Sequence, residues 1–418
     1  MASQHAPALD RSATAVITAG MNILRCFSGT GVQVCPVAPQ DDDEIFSSRY
    51  SRLHKTIPRS DEDPKKFAED LAELGKSFPV KPVLYYDADS ILLIVSRYRE
   101  ILQPYYQFLL PPAELVEDLV DKVRFAKLAE RLNLPIPRTV RSDEIESADA
   151  ALEKITLPCI LKPDSRHLGW NDSALVSDEG AGPQKVLIAS TPEEFRRMYA
   201  TVRGFTDNFV IQPYIPGGDD RIFSFHGYFN AVGQPLGYFV GQKIRTFPKN
   251  NGVSTYLELA RNQEVLTISL EALRKMNFVG AIKIDLKQDP VTKRFYILEF
   301  NPRYTLWNHL GAVSGVNLPL LAYADQTGQP CTPQFDYRLG TRWLSFGNDA
   351  RAFLRSYRPE GDLSWAQWLG SFWCPKVYDN FAWDDPGPLV ALLRKRLKLV
   401  VGKLTGRKSS HTGAATAG

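Results

Sequence analysis

Asp285 and Glu299 are the first residues in this sequence whose types and spacing could do chemistry. They flank the turn 288–294, which is centred near residue 292, so the two carboxylates are expected to oppose each other across a β-hairpin. Directly opposed side chains share one face, with β-carbons about 5 Å apart. Carboxylates that close repel unless a cation or a proton joins them. Asn301 lies two residues beyond Glu299 and points the same way. Two carboxylates and an amide oxygen make a hard, all-oxygen set suited to Mg²⁺ carried on phosphates. The plainer alternative is a solvated hairpin face with incidental acids.

The same stretch, Glu299-Phe300-Asn301-Pro302-Arg303, resembles the metal-binding signature of the ATP-grasp superfamily, in which acid, Asn and Arg recur in that order. Upstream, Gln212-Pro213-Tyr214-Ile215 followed by Gly217-Gly218-Asp219 is similar to that superfamily's hinge and ribose-binding turn. Lys122 and Lys162 match its two nucleotide lysines, one opening the small subdomain and one ending a strand before the phosphate loop. All four elements occur in the superfamily's order between residues 120 and 325. Ser48-Arg49-Tyr50 and the run Asn301-Pro302-Arg303-Tyr304, with Gly315-Val316-Asn317 downstream, resemble its carboxylate–amine ligases.

The resemblance implies an ATP site with Mg²⁺, or Mn²⁺ in its place, on Asp285, Glu299 and Asn301. Lys162 would hold the α- and β-phosphates as a compact cation, with Lys122 as a second phosphate contact. Gln212, Tyr214 and Ile215 would serve the adenine, Gln212 offering an amide where many relatives carry an acid. Asp219 would take the ribose hydroxyls, with Asp220 as its adjacent competitor. Arg303 would stabilise the charge building on the transferred phosphoryl group and the acyl phosphate. Lys243 and Arg245 alternate on a strand entering the cleft and suit a γ-phosphate or a substrate carboxylate, with a structural ion pair as the alternative. His309 is a substrate contact on one reading and a satisfied structural histidine on the other.

One departure stands out. The phosphate loop reads Asp164-Ser165-Arg166-His167-Leu168-Gly169-Trp170, with Gly180 and Gly182 later, and is poorer in glycine than the pattern it resembles. Side chains such as Ser165, Arg166 and His167 would replace bare backbone amides there. Residues 164–184 are expected to close as a lid, Arg166 bonding phosphate oxygens.

The elements that must position these residues read as α/β. Residues 13–120 form a parallel-sheet domain similar to the pre-ATP-grasp domain, since Ala15–Ile17, a turn, the helix from Asn22 and Val32–Val34 make a βαβ unit. Residues 121–330 form a two-subdomain ATP-grasp unit, small in 121–205 and metal-bearing in 206–330. Residues 331–404, rich in Trp and Pro, are expected to pack as a C-terminal cap and helix, and the polar tails 1–12 and 405–418 are expected to be disordered. Gly29 and Gly31 follow their helix instead of opening it, which removes the dinucleotide fingerprint.

Bulk properties exclude other classes. A net charge of +3 over 418 residues, with no nucleic-acid motif, argues against nucleic acid as a partner. Five scattered cysteines fit reduced thiols, and neither a signal peptide nor a membrane span is read, so the protein is expected in the cytoplasm. Leu74-Gly75-Lys76-Ser77 lacks the upstream glycine of a Walker loop, and no hydrolase elbow or metalloprotease motif occurs. The expected activity joins a small-molecule carboxylate to an amine at the expense of ATP. The alternatives are a carbamoyl-phosphate-synthase-like enzyme, a non-catalytic ATP-binding regulatory module, and a peripheral membrane protein. The last rests on Pro388–Leu404, where Leu389, Leu393, Leu397, Val400 and Leu404 form a stripe beside Arg394, Lys395 and Lys398.

Overall fold

A computed structural model describes residues 9–39, 43–57, 60, 62–163, 186–250 and 252–404. Three β-sheets occur among the described residues. The first holds β1 (Ala15–Thr18), β2 (Val34–Ala38), β3 (Lys55–Thr56) and β4 (Val83–Tyr86), in the order β3-β2-β1-β4. Its strands pair in parallel, and β1, β2 and β4 are near-continuous apolar runs, as strands covered on both faces must be. Gly29 and Gly31 take positive φ, 72° and 77°, and turn the chain from the first helix into β2, which begins at Val34 instead of Val32.

The second sheet is antiparallel, ordered β5-β8-β6-β7 from β5 (Val140–Arg141), β6 (Cys159–Pro163), β7 (Leu187–Ala189) and β8 (Phe209–Pro213). The helix Pro192–Phe205 packs on it through Phe195, Tyr199 and Val202. Proline opens that helix at no hydrogen-bond cost, and the Thr191 hydroxyl caps it by accepting from the Glu194 amide at 3.2 Å.

The third sheet has seven strands, β13-β12-β9-β10-β11-β14-β15. These are β9 (Ile222–Phe229), β10 (Pro235–Phe247), β11 (Val253–Leu259), β12 (Gly280–Gln288), β13 (Phe295–Asn301), β14 (Arg342–Leu344) and β15 (Lys376–Tyr378). β11 was not anticipated from the sequence. β14 and β15 come from the stretch expected to be a cap, so that stretch extends the sheet as well as covering it. One face of the sheet packs Phe225, Val240, Ile282, Ile284 and Phe300 against Leu119, Phe125 and Leu128 from the helices Ala113–Val120 and Lys122–Arg131. The seam expected near residue 120 therefore runs through a shared core.

The chain end returns to the first sheet's domain. Arg25 Nη1 donates to the carbonyls of Tyr378 at 3.0 Å and Asp379 at 2.8 Å. Asp385 accepts from Ser48 Oγ and from the Arg49 amide, both at 2.8 Å, and Tyr50 donates to Asp384. The Ser48-Arg49-Tyr50 run thus holds the C-terminal segment.

Candidate active site

Register decides which side chains meet. Asp285 pairs with Glu299 across β12 and β13 and with Ser224 across β12 and β9, while Lys283 pairs with Asn301 and His226. Side chains two apart on a strand, and partners across it, share a face. Lys283, Asp285, Lys287, Glu299 and Asn301 therefore stand together, on the face opposite Ile282, Ile284 and Phe300. A bulge beyond Asp285, where Leu286 meets Ile297, shifts the ladder only after the two acids have been opposed.

The acids are held by cations. Asp285 is buried and accepts from Lys283 Nζ at 2.8 Å and from the Ser224 hydroxyl, with Lys243 Nζ at 3.6 Å. Glu299 accepts from Asn301 Nδ2 at 3.1 Å and faces Lys122 Nζ at 3.9 Å. Arg303 donates to both oxygens of Asp89, at 2.6 and 3.2 Å, and to Asn301 Oδ1 at 3.2 Å. Asp89 opens the helix Asp89–Arg97 of the first domain. Burial works against its charge, yet Arg303 wins and holds its carboxyl below the ordinary carboxylate range.

Lys162, at the end of β6, faces this group from the second sheet. Burial first, and then the charge of Lys122, push its pKa down to about 8, with Glu299 pulling upward and Lys287 adding to the fall. Burial lowers Lys287 too, against the pull of Asp219 and Asp220. Its ammonium lies 5.0 Å from the Tyr214 ring centre. Lys122, Lys162, Lys243, Lys283, Lys287 and Arg303 thus surround Asp285, Glu299 and Asp89. An excess of cations around these carboxylates suits a polyanion, and a polyphosphate fits that balance.

Beside them, Gln212 is buried and donates through Nε2 to Thr139 Oγ1 at 2.9 Å, while its Oε1 has no hydrogen-bond partner. An unmet buried acceptor is costly, and an exocyclic amino group would satisfy it. The Tyr214 amide is spent on the Pro158 carbonyl at 2.9 Å. Ile215 follows, half-buried, at the mouth of the turn.

Two expected site residues are engaged by internal partners. Asp219 is 5% exposed, and its carboxylate accepts from Thr246 Oγ1 at 2.7 Å, the amides of Thr246 and Asn250 at 3.1 Å each, and the Tyr357 hydroxyl. A carboxylate saturated by four internal donors pins its turn and has little left for ribose, whereas Asp220 is exposed. Arg245 does not enter the cleft with Lys243. Lys243 lies opposite Leu257 but Arg245 opposite Tyr256, one residue along instead of two, so a bulge sends them to opposite faces. Arg245 forks onto the fully buried Asp349 at 2.8 and 2.9 Å and stacks 4.5 Å from the Tyr256 ring centre. Its role is the structural ion pair.

His309 is buried away from these groups, beside Arg25 and Asp384, its pKa pushed down to about 4 by burial first and then by the charge of Arg25. Arg166, with the lid expected over 164–184, lies outside the described residues. Lys283, Lys287 and Asp89 were missed. The alternation Lys283-x-Asp285-x-Lys287 in an otherwise apolar strand was a readable signal for the first two. Nothing local marked Asp89 as a partner for Arg303.

No group of three or more Asp, Glu, His or Cys side chains able to hold a metal occurs among the described residues. Asp285, Glu299 and Asn301 are an incomplete oxygen set, which is what Mg²⁺ needs when phosphates and waters supply its other ligands. The residues fit a phosphate-borne Mg²⁺ and do not fit a closed protein cage.

Comparison with family models finds no match. The D-aspartate ligase of Enterococcus faecium (strain Aus0004) is 24% identical over 297 residues, covering 68% of this chain and 69% of that protein. Among solved structures, N5-carboxyaminoimidazole synthetase from Staphylococcus aureus in complex with ADP superposes with a TM-score of 0.58 at 16% identity, covering 78% of this chain and 80% of that one. The L-amino acid ligase from Bacillus licheniformis superposes with a TM-score of 0.54 at 14% identity, covering 76% and 75%.

Proposed function

Since this chain carries the ATP-grasp fold, we propose that it is an ATP-dependent ligase that activates a small-molecule carboxylate as an acyl phosphate and passes the acyl group to an amine. The observation that carries this reading is the opposition of Asp285 and Glu299, with Asn301 beside them, inside a ring of lysines from the second and third sheets and the helix Lys122–Arg131. The names of its relatives, D-aspartate ligase and L-amino acid ligase, put amino acids first among candidate substrates.

Lys162 and Lys122 would bind the phosphate chain, and Gln212 Oε1 would accept from the adenine amino group. Mg²⁺, held by Asp285, Glu299 and Asn301, would neutralise charge on the β- and γ-phosphates. Lys243 and Lys283, both at Asp285, would orient the γ-phosphate against the attacking carboxylate. That carboxylate oxygen bonds to the γ-phosphorus as the bond to ADP breaks. Arg303, fixed by Asp89, would meet the charge developing on the acyl phosphate. The amine then attacks the acyl carbon, phosphate leaves with the bonding pair, and the amine loses a proton.

The test is release of ADP and of phosphate across a panel of D- and L-amino acids, alone and in carboxylate–amine pairs, with bicarbonate plus ammonia as a separate arm. ADP release that requires both a carboxylate and an amine is expected. Turnover confined to bicarbonate and ammonia would favour the carbamoyl-phosphate reading. Nucleotide binding without turnover in any arm would favour the regulatory module.

A further inference from the structure

The last helix, Gly387–Leu404, starts from a fixed root. Asp385 is gripped by Ser48 and Arg49, Pro388 is buried, and a β-carbon added at Gly387 would stand 2.0 Å from the Ser47 carbonyl oxygen. Beyond that root Leu389, Ala391 and Leu392 are half-buried, but one apolar stripe of the helix stays uncovered. Val390, Leu393 and Leu397 are 42%, 55% and 64% exposed, and their spacing of three and four residues puts them in one stripe. Arg394, Lys395, Arg396 and Lys398 stand around them, also exposed. Trp383, in the root loop, is 90% exposed. From Gly387 to Gly418 the sequence has seven Lys and Arg residues and no Asp or Glu. No described helix is long and apolar enough to cross a membrane.

We propose that this helix docks on an anionic lipid bilayer, making the protein a peripheral membrane protein independently of its catalytic chemistry. Exposed leucines beside clustered bases answer two features of such a surface at once. The leucines enter the headgroup boundary, where an exposed tryptophan ring is also accommodated, and the bases meet the negative surface potential. A nucleic acid would draw on the bases but gain nothing from the leucine stripe. A second copy would press one acid-free basic helix against another.

Full-length protein is sedimented with vesicles of phosphatidylcholine alone and of phosphatidylcholine containing phosphatidylglycerol. Binding to the anionic vesicles only, weakened by salt, is expected. Leu393→Asp with Leu397→Asp, and separately Arg394→Gln with Lys398→Gln, should each weaken it about tenfold or more. These side chains face solvent, so melting temperature and nucleotide binding should stay unchanged, and the charge pair still tests the proposal if the apolar pair fails to fold. Equal binding to neutral vesicles, or no binding to either, overturns it. So does a lipid-free dimer abolished by the leucine changes, or duplex DNA binding that depends on the bases and ignores the leucines.

Discussion

Asp89 and Arg303 form a forked ion pair across 214 residues of sequence, joining the first domain to the turn just past β13. The pair is a hinge point between sheet chemistry and domain packing, because Arg303 also reaches Asn301 at 3.2 Å. Asp89→Asn keeps the shape and removes the charge. Turnover should fall about 10- to 100-fold as Arg303 loses its orientation. Stability should fall by about 1–2 kcal/mol, less than for a fully buried pair because the Asp89 side chain is 43% exposed. Steady-state kinetics and urea unfolding measure the two. Unchanged turnover with the full stability loss would make the pair purely structural.

Glu299→Gln keeps the hydrogen bond with Asn301 possible and removes one of the two opposed charges. Turnover should drop by about two to three orders of magnitude, the scale of one lost transition-state charge contact. The concentration of Mg²⁺ needed for half-maximal rate should rise as well. A variant as active as the parent at the same Mg²⁺ concentration would remove Glu299 from the site.

Lys162 should make nucleotide binding pH-dependent. Its ammonium is disfavoured by burial, which pushes its pKa down to about 8 from the ordinary lysine range. The sign for folding follows: the cost of burying the cation is fully present below about 8 and fades as pH rises through that value. For binding, phosphates need the cation, so ADP affinity should fall as pH rises above about 8. Binding near that pH should take up about half a proton, read by calorimetry in buffers of different ionisation enthalpy. Lys162→Arg keeps its charge and should flatten the profile. A steep profile retained in that variant would assign the titration to another group.

Lys243 and Arg245 should separate cleanly. Arg245→Met strands the buried Asp349 carboxylate with only Thr255 and Trp368 as donors and should cost about 3–5 kcal/mol of stability. Nucleotide affinity of the folded fraction should be unaffected. Lys243→Met should do the reverse, lowering turnover while the melting temperature moves little, because Asp285 keeps Lys283 and Ser224. A shared phenotype would place both residues in one network.

How much of this was legible in the sequence varied with the range of the interaction. The α/β class, the hairpin opposing Asp285 to Glu299, the capped helix from Pro192 and the Lys162 strand were all readable. Each depends on a local period, a turn or a cap, and such signals are complete within a few residues. The face carrying Lys283 and Lys287 was equally local and was overlooked. Arg245 was misplaced because register shifts on either side of it turn its side chain to the other face, and nothing in Gln242–Thr246 announces a bulge. The occupation of the Asp219 carboxylate was not readable, because its four donors come from 246, 250 and 357, which only packing brings to it. The Asp89–Arg303 pair and the seating of the C-terminal root on Ser48 and Arg49 were decided by the tertiary structure alone. Local backbone preference selects the elements, but an ion pair spanning hundreds of residues depends on how whole sheets and domains close on one another, and that information is spread over the entire core.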